Sequence, residues 1–408
     1  MDVTVMEAID VDKRVFVSDD DTLTALCERW NKGDFIALDT EFVRTDTFYP
    51  KIGLIQIGDE SGCYLIDPFG ISDWSAFISL LQNRDLCCVV HSCSEDLALL
   101  KGFLGTVPAQ IFDTQRAAAF LGLGYSISYQ GLVKAVFDQD VPKDATRSDW
   151  LQRPLTEQQQ HYAALDVAWL PALYHHLKDK LEAKGYLSWL REDCAHLSVP
   201  GIDEEDNSNW ESYYRNIKGA WGLDETALAL LQSLGYWREK TAREENRPRS
   251  WIARDNDLLA IVEECRNRET TAIELRNIRG LPRNFERRYG KALVEVLTSP
   301  NTFAERPDPD SLQAPLPRAL RRAMKHCQQA VKEKAESLEI APELLARRKQ
   351  LVELLQIHAA ASIDPGSDID TLPWPPELQG WRQAQLKPVI SRVLEAEADQ
   401  TPEENHDE

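Results

Sequence analysis

The chain lacks any apolar run approaching the roughly 20 residues that a membrane-spanning helix needs. It opens with the acidic stretch MDVTVMEAIDVDKR, whereas a signal peptide begins with basic residues and continues with an apolar segment. There is no C-x-x-C motif among its eight cysteines, and no histidine stands beside them at zinc-binding spacing. We therefore expect a cytoplasmic protein with no membrane contact and with reduced, mostly buried thiols.

Basic residues are in deficit, with 46 Lys and Arg against 67 Asp and Glu and a formal net charge of −21. An acidic surface repels a polyanion, so the net charge argues against a nucleic-acid partner. The acids concentrate at positions 19–21, at 203–206 and after Leu394, while arginine concentrates between Arg238 and Lys291. Local basic surfaces are therefore compatible with the sequence, and net charge does not exclude nucleic acid.

With 408 residues the chain exceeds what one hydrophobic core supports, so several domains are expected. Its first part alternates short apolar runs with helical patterns. The predicted strands are VFV, DFIALDTEFV, KIGLIQIG, GCYLIDP and DLCCVVH, with a hairpin at Gly58 to Gly62. The predicted helices cover 21–30, 72–81, 94–100, 113–120, 129–137 and, as one long helix, 156–184. This pattern predicts a mixed sheet with helices packed on it.

The remainder of the chain reads as helical, interrupted by polar and proline-rich connections. A weak internal similarity between its two helical stretches indicates a degenerate duplication. We predict a first domain over 1–200, a linker over 201–222, a helical domain over 223–300, a linker over 301–317, a second helical domain over 318–396 and an acidic disordered tail over 397–408.

The segment IALDTEFV places two acids on a predicted core strand. Residues two apart on a strand share a face of the sheet, so Asp39 and Glu41 lie side by side. Such like charges are costly unless a cation lies between them, and carboxylate oxygens suit Mg²⁺ or Mn²⁺. Taken alone, D-x-E is more often a pair of solvated acids on a half-exposed strand.

A second acidic segment, HSCSEDL, follows the apolar run CCVV. We expect Ser92 or Ser94 to cap a helix here, with Glu95 and Asp96 in its first turn at the carboxyl end of a strand, where α/β sites gather ligands. The alternative is that the acids merely stabilise the helix dipole, which is the better explanation for Glu95.

A third segment, HYAALD, belongs to the long predicted helix. Tyr162 and Asp166 are four residues apart and share a helix face, with small alanines between them that allow close approach of another surface. A tyrosine with a pKa near 10 is a poor base at neutral pH, so its expected role is to orient a water molecule. A tyrosine packed at a helix–sheet boundary is the alternative.

The order of D-x-E on a strand, S-E-D-L opening a helix and Y-x-x-x-D on a later helix resembles the DEDDy branch of 3′-to-5′ exonucleases. The longer stretches DTEFVRTDTFYPKIGLIQI, HSCSEDLALL and SDWLQRPLTEQQQHYAALDV resemble the ribonuclease D family. Behind them, the two helical domains resemble an HRDC module, the helicase and ribonuclease D C-terminal domain, and a diverged copy of it. The resemblance covers nearly the whole chain and shows no departure at the five motif positions.

The resemblance implies an α/β ribonuclease-H-like exonuclease domain, with a mixed sheet and flanking helices, followed by two all-α HRDC-type domains. It implies that Asp39, Glu41, Asp96 and Asp166 bind two divalent cations, Mg²⁺ or Mn²⁺, while Tyr162 positions the nucleophile. The implied activity is hydrolysis of RNA from the 3′ end with release of 5′ mononucleotides, in maturation of transfer RNA and trimming of small structured RNAs. A DNA exonuclease of the same chemistry and a non-catalytic binding scaffold are the alternatives.

Two groups of residues are candidates for contact with the nucleic acid. Four lie between the second and third motifs, and two lie at a predicted helix–helix turn in the first helical domain. These candidates are Lys143, Arg147, Trp150 and Arg153, and then Arg279 and Arg283. Acids are interleaved with the arginines of the helical domain, so a solvated surface explains them nearly as well. No long apolar surface demands an oligomer, and we expect a monomer.

Overall fold

Six strands form one mixed sheet in the computed structural model of the chain. The structure describes residues 7–142, 148–198, 207–265, 284–298, 320–361 and 373–398, together with positions 275, 278, 281–282, 303, 305–307, 309, 312 and 316–318. The strands are β1 (Val15–Val17), β2 (Phe35–Val43), β3 (Lys51–Asp59), β4 (Gly62–Ile66), β5 (Cys87–Val90) and β6 (Ile111–Asp113). They are ordered β1-β4-β3-β2-β5-β6 across the sheet. Strand β3 runs antiparallel to β2 and β4, and the other neighbours are parallel. The predicted mixed sheet and the hairpin between β3 and β4 are confirmed.

Helices flank this sheet. They are α1 (Asp20–Trp30), α2 (Ser75–Leu81), α3 (Ser94–Leu104), α4 (Thr114–Phe120), α5 (Tyr129–Phe137), α6 (Glu157–Ala168), α7 (Leu170–Lys184) and α8 (Leu187–Ser198). The single long helix predicted over 156–184 is wrong, because the structure has two helices with a break at Trp169. The physical reason is Pro171 at the start of α7, since proline has no N–H to bond to the preceding turn.

Strand β6 is absent from the sequence prediction, because three residues are too few to show an alternating pattern. Its last residue, Asp113, is also the N-cap of α4 and accepts hydrogen bonds from the backbone N–H groups of Gln115 and Arg116. The same carboxylate accepts the N–H of Ser92, just before α3. Asp113 therefore ties the starts of two helices to the edge of the sheet.

The chain divides into two compact units. The sheet unit comprises Met1–Val43, Lys51–Val199 and Leu316–Glu408, and the helical unit comprises Arg44–Pro50 and Pro200–Pro315. Described helices of the helical unit are α9 (Asn207–Trp210), α10 (Glu225–Glu244), α11 (Arg249–Ile252), α12 (Asp255–Cys265) and α13 (Phe285–Thr298). The C-terminal helices of the sheet unit are α14 (Leu320–Leu338), α15 (Pro342–Leu345), α16 (Arg348–Ala361) and α17 (Trp381–Ala398).

The C-terminal helices share a core with the sheet and its flanking helices. The indole of Trp381 on α17 stacks on Trp189 of α8, with ring centroids 4.9 Å apart. The backbone N–H of Ala341 donates to the carbonyl of Ala119 at 2.9 Å. The residues of α14 to α17 therefore contribute to the folding of the sheet unit, while the domain boundaries drawn from the sequence stay predictions.

All eight cysteines are free thiols, and all are buried except Cys87, which is partly exposed. The expectation of mostly buried thiols is confirmed. Among the helices that the structure describes, none has the length and apolar character to cross a bilayer.

Candidate active site

Strand β2 carries Asp39 and Glu41 on the face of the sheet that α6 covers. Because side chains alternate along a strand, both acids lie on the same face of the sheet as Ala37. Ala37 is paired with Gly58 of β3, and a Cβ on Gly58 would lie 3.3 Å from Ala37 Cβ and 3.3 Å from Val167 Cβ of α6. Both acids are half-buried beneath this helix, so the solvated strand edge considered as an alternative does not describe them.

Helix α6 brings Tyr162 and Asp166 to the same place. It starts with a capping box, in which the Thr156 hydroxyl accepts the N–H of Gln159 and the Gln159 side chain accepts the N–H of Thr156. Tyr162 and Asp166 are one turn apart, and the two alanines after Tyr162 are fully buried. These small residues, with Gly58 opposite, allow the helix to lie close to the sheet.

Tyr129 of α5 holds the end of α6 in position. Its hydroxyl donates to the carbonyl of Leu165 at 2.8 Å and accepts the N–H of Trp169 at 3.0 Å. These two bonds bracket Asp166, so they fix the turn that carries its carboxylate.

Asp96 enters the site from the first turn of α3, as predicted. The predicted serine cap is wrong: the N-cap is Cys93, which makes no side-chain capping bond, and Ser94 is already inside the helix. Ser92 adopts φ 59° while its N–H donates to Asp113, so it does not cap the helix. Asp96 instead accepts hydrogen bonds from the hydroxyl and the backbone N–H of Thr40, which lies between Asp39 and Glu41.

Burial and repulsion from neighbouring acids raise the pKa values of the two acids on β2. Burial raises the pKa of Asp39 well above its usual range, and repulsion from Asp96, Asp166 and Glu41 adds to this effect. Burial, followed by repulsion from Asp166 and Asp96, raises the pKa of Glu41 to about 8.

Burial alone is the main cause that raises the pKa values of the other two acids. Burial raises the pKa of Asp166 to about 7, although a hydrogen bond from Tyr162 acts in the opposite direction. Burial also raises the pKa of Asp96, and the hydrogen bonds from Thr40 oppose it. Because Coulomb repulsion falls with distance, the four carboxylates form one electrostatic cluster.

Tyr162 completes the cluster. Burial, and then repulsion from Asp166, Glu41 and Asp39, raises the pKa of its phenol above the usual range. The hydroxyl is hydrogen-bonded to Asp166. The phenol therefore keeps its proton at neutral pH and is suited to orient a water molecule, not to act as a base.

The donor set suits hard divalent cations, because it consists of carboxylate oxygens without sulfur or imidazole. A positive charge among these acids would reverse the repulsion that raises their pKa values. In the part of the chain that the structure describes, no three His, Cys, Asp or Glu side chains are arranged so that they could hold one metal ion. Mg²⁺ typically uses one or two protein carboxylates and completes its shell with water and substrate phosphate, so this arrangement fits a cation shared with a substrate.

The residues predicted to touch the substrate have other roles or lie outside the described residues. Trp150 is 2% exposed, and a Cβ on Gly53 would lie 2.6 Å from Trp150 Cβ. Arg153 pairs with Asp67 at 2.6 Å and donates to the carbonyls of Gly53 and Trp150. A buried indole offers no face for a base, so both side chains have structural roles. Outside the described residues lie Lys143, Arg147, Arg279 and Arg283.

Two polar residues of the site were missed in the sequence analysis. Thr40 gives no signal, because threonine is common on strands. Gln56 does give one, since it is the only polar side chain inside the apolar run IGLIQI. Gln56 lies directly opposite Asp39 in the register of β2 and β3, and its fully buried amide has no hydrogen-bond partner among the described residues.

Comparison with known proteins shows the class of protein to which this chain belongs. A family model described as 3′-5′ exonuclease matches residues 14–182, which contain all five motif residues. Models of the HRDC domain and of the ribonuclease D C-terminal HRDC domain match residues 227–297 and 319–390. The chain is thus a 3′-to-5′ exonuclease with HRDC regions behind the catalytic part.

Full-length relatives narrow the class to one family. Ribonuclease D of Pseudomonas paraeruginosa is 38% identical over 93% of this chain and 97% of the relative, and that of Escherichia coli is 33% identical over 93% and 98%. The crystal structure of E. coli RNase D, described as an exoribonuclease involved in structured RNA processing, matches with a TM-score of 0.81 at 32% identity, over 94% of this chain and 99% of that one. The chain belongs to the ribonuclease D family of 3′-to-5′ exoribonucleases, whose activity depends on divalent metal ions. The fold class expected from the sequence is confirmed.

Proposed function

We propose that Asp39, Glu41, Asp96 and Asp166 bind two divalent cations, Mg²⁺ or Mn²⁺, and that Tyr162 positions the attacking water. The observation that carries this proposal is the convergence of four half-buried carboxylates from β2, α3 and α6, in which Asp96 and Asp166 raise the pKa values of Asp39 and Glu41. Such a cluster is unfavourable unless positive charge compensates it.

Each side chain has a separate task in this proposal. Asp39 and Glu41 present oxygens from a strand, and the hydrogen bonds from Thr40 keep Asp96 beside them. The hydroxyl of Tyr162 is bonded to Asp166, which leaves its oxygen available to accept a hydrogen bond from the attacking water. Bound cations supply the increased acidity of that water and the stabilisation of charge at the leaving 3′ oxygen.

The substrate that we propose is the 3′ end of RNA, above all transfer RNA precursors and small structured RNAs, with 5′ mononucleotides as products. Support comes from the described role of the E. coli relative in structured RNA processing. In this proposal the predicted domain 1–200 carries the chemistry and the domains 223–300 and 318–396 bind RNA. A monomer in the cytoplasm is the predicted working form.

The test is digestion of a 3′-extended transfer RNA beside a single-stranded DNA of matching sequence, each with Mg²⁺, with Mn²⁺ and with a chelator. We expect nucleoside 5′-monophosphates from the RNA in the presence of either metal, no product with chelator and much slower release from DNA. Chromatography of the products distinguishes stepwise release from internal cleavage.

Each other result contradicts a different part of the proposal. Equal rates on DNA contradict the RNA preference, and products longer than one nucleotide contradict exonuclease action. Turnover with chelator contradicts the role of the cations, and RNA binding without cleavage supports the scaffold alternative instead.

A further inference from the structure

An open cleft of about 410 Å³ lies within the helical unit. One wall is the segment that follows β2, with Arg44 and Phe48. The other wall is the start of α11, with Arg249 and Trp251. No acid lines this cleft among the residues that the structure describes, although Asp46 is close in sequence.

Trp251 presents its indole to solvent, with 54% of the residue exposed, while the next residue, Ile252, is 2% exposed. Exposure of so large an apolar ring has a cost in water, unless a ligand covers it. A flat aromatic face beside cationic side chains is the combination that single-stranded nucleic acids use, with bases stacked on the ring and phosphates near the cations.

The cations of the cleft are available for a phosphate. Arg44 is exposed and pairs with no acid in the described part of the chain. Arg249 contacts Glu239 at 2.7 Å, but the same buried carboxylate also bonds to Arg243 at 2.8 Å. Arg238 also lies 4.0 Å from it, so three guanidinium groups share this one carboxylate and it does not neutralise Arg249 alone.

The cleft is rigidly built. The side-chain oxygen of Asn246 accepts the backbone N–H groups of Phe48 and Tyr49 at 3.0 and 3.1 Å. The ring of Phe48 lies 4.4 Å from the guanidinium carbon of Arg243 and 4.7 Å from that of Arg249. The segment after the catalytic strand is therefore fixed against α10 and α11 before any ligand binds.

We propose that this cleft binds a nucleotide of single-stranded RNA upstream of the 3′ end, with its base on Trp251 and its phosphate at Arg44 and Arg249. The inference rests on the proposed function for its ligand. Arg44 follows the catalytic residue Glu41 by three positions in the sequence, so the chain itself limits the distance between these two residues.

The test compares Trp251→Ala with Trp221→Ala. Trp221 is a similarly exposed tryptophan of the helical unit, 49% exposed, and does not line the cleft. Binding of a fluorescent single-stranded RNA to the full chain is measured in chelator, and kcat/KM is measured with Mg²⁺ on a long RNA and on a dinucleotide. We expect Trp251→Ala alone to weaken binding at least about fivefold, with Trp251→Phe closer to the parent. The loss in kcat/KM should be larger on the long RNA than on the dinucleotide.

A further arm tests the phosphate contact. Arg44→Gln should reduce the slope of log affinity against log salt by about 0.7. Parent-like affinity of Trp251→Ala overturns the inference, and so does an equal loss in Trp221→Ala. A parent protein that degrades no RNA at all contradicts the proposed function instead, whatever the variants bind.

Gln56 carries a second, independent inference. Directly opposite residues on antiparallel strands have Cβ atoms about 5 Å apart, so the side chains of Gln56 and Asp39 start side by side on one face of the sheet. Neither its nitrogen nor its oxygen has a partner in the described residues, and the residue is 0% exposed. Buried unpaired amides are rare and destabilising, so this one calls for a functional explanation.

We infer that Gln56 is a positioning residue, whose amide N–H donates to the Asp39 carboxylate when that carboxylate binds a cation. Partners of this kind orient ligand side chains and commonly change metal affinity by about 10- to 100-fold. The matched control is Gln159, a buried glutamine whose side chain is fully engaged in hydrogen bonds.

The test measures Mn²⁺ binding by electron paramagnetic resonance and thermal unfolding in chelator, both on the full chain without RNA. Gln56→Leu should bind Mn²⁺ at least about tenfold more weakly and unfold at the parent temperature or above it. Gln159→Leu should unfold at a lower temperature, because it leaves backbone groups unpaired. Parent-like Mn²⁺ affinity of Gln56→Leu overturns the inference, as does a fall in its unfolding temperature as large as that of Gln159→Leu. A parent that binds no Mn²⁺ contradicts the proposed function instead.

Discussion

Asp39 lies at the centre of the electrostatic cluster, because Asp96, Asp166 and Glu41 all raise its pKa. Its carboxylate is therefore useful only with a cation present and is a source of repulsion without one. Removal of this carboxylate should therefore lower the activity without lowering the stability.

We predict that Asp39→Asn lowers kcat by more than about 100-fold, since ligands matter more than the groups that orient them. The free energy of unfolding in chelator should stay within about 1 kcal/mol of the parent or rise, because repulsion is relieved. Single-turnover kinetics and urea unfolding measure the two quantities. Glu95→Gln, next to Asp96 but exposed, is the control that should keep near-parent turnover. A variant that unfolds, or one that cleaves at the parent rate, contradicts the prediction.

The raised pKa values also predict how stability depends on pH. Glu41 and Asp166 have pKa values of about 8 and about 7 in the fold, against ordinary values of 4.5 and 3.8. Between the two sets of values the folded state holds more protons than the unfolded state, so stability falls as pH rises.

We therefore expect the unfolding temperature of the metal-free protein to fall between about pH 5 and pH 8.5, and the increase on adding Mg²⁺ to grow over the same range. Calorimetry with and without chelator measures both. Glu41→Gln should give a shallower fall, because it removes one of the titrating groups. A metal-free stability that is flat or rises over this range would show that the pKa values of these acids are not raised in the folded protein.

The distance between helix α6 and the sheet decides where Asp166 and Tyr162 lie. Gly58 sets that distance, because a Cβ there would lie 3.1 Å from the carbonyl oxygen of Val167 and 3.3 Å from the Cβ atoms of Val167 and Ala37. Those atoms belong to backbone and short side chains, so relief requires a shift of the helix itself.

We predict that Gly58→Ala lowers the free energy of unfolding by about 1–3 kcal/mol and turnover by roughly tenfold. The control is Gly62→Ala on the same hairpin, where the nearest atom to a new Cβ is the Tyr64 hydroxyl oxygen at 3.6 Å. Denaturant unfolding and kcat on a short RNA compare the two variants. Equal behaviour of both would remove the proposed coupling between helix position and activity.

The elements differ in how far the sequence predicts them. Strands β2 to β5 and the first turn of α3 follow from apolar runs and flanking turn residues, since these signals are local. The three-residue strand β6 and the break at Trp169 depend on contacts and on Pro171, which periodicity overlooks. For the site, the combined order of the five motif residues identified them through a family resemblance, whereas Thr40 became visible only as a hydrogen-bond donor to Asp96. Gln56 stands out as a polar residue in an apolar run, but its place opposite Asp39 follows from the register of β2 and β3.

The assignment of two segments to their compact units depends on contacts between distant parts of the chain. The segment 44–50 belongs to the helical unit although it joins two strands of the sheet, and the residues after 316 belong to the sheet unit. Neither could be predicted from the sequence, because hydrophobic periodicity says which face is buried and not which partner covers it. The net charge of −21 likewise averages over acids and arginines that concentrate in different segments of the sequence.

Asp193 of α8 is the charge that connects the sheet region to the C-terminal helices. It is 3% exposed and contacts Arg116 of α4 at 2.6 Å and Arg382 of α17. Burial raises its pKa, but hydrogen bonds and positive charge from Arg382 and Arg116 outweigh burial and hold the pKa below its ordinary value. The ionised carboxylate thus joins two arginines that are far apart in the sequence, one on α4 and one on α17.

We predict that Asp193→Ala lowers the free energy of unfolding by about 3–5 kcal/mol, because it leaves two arginines without their buried counter-charge. Glu377→Ala is the control, since Glu377 pairs with Arg347 at 3.0 Å in an exposed ion pair of the same C-terminal helices and should cost at most about 1 kcal/mol. Urea unfolding at pH 7 measures both variants. Because the pKa of Asp193 is lowered, the parent should also lose this contribution as pH falls through the folded-state pKa, and the difference between parent and Asp193→Ala should shrink there. Equal losses in the two variants would mean that the bridge does not connect the C-terminal helices to the sheet.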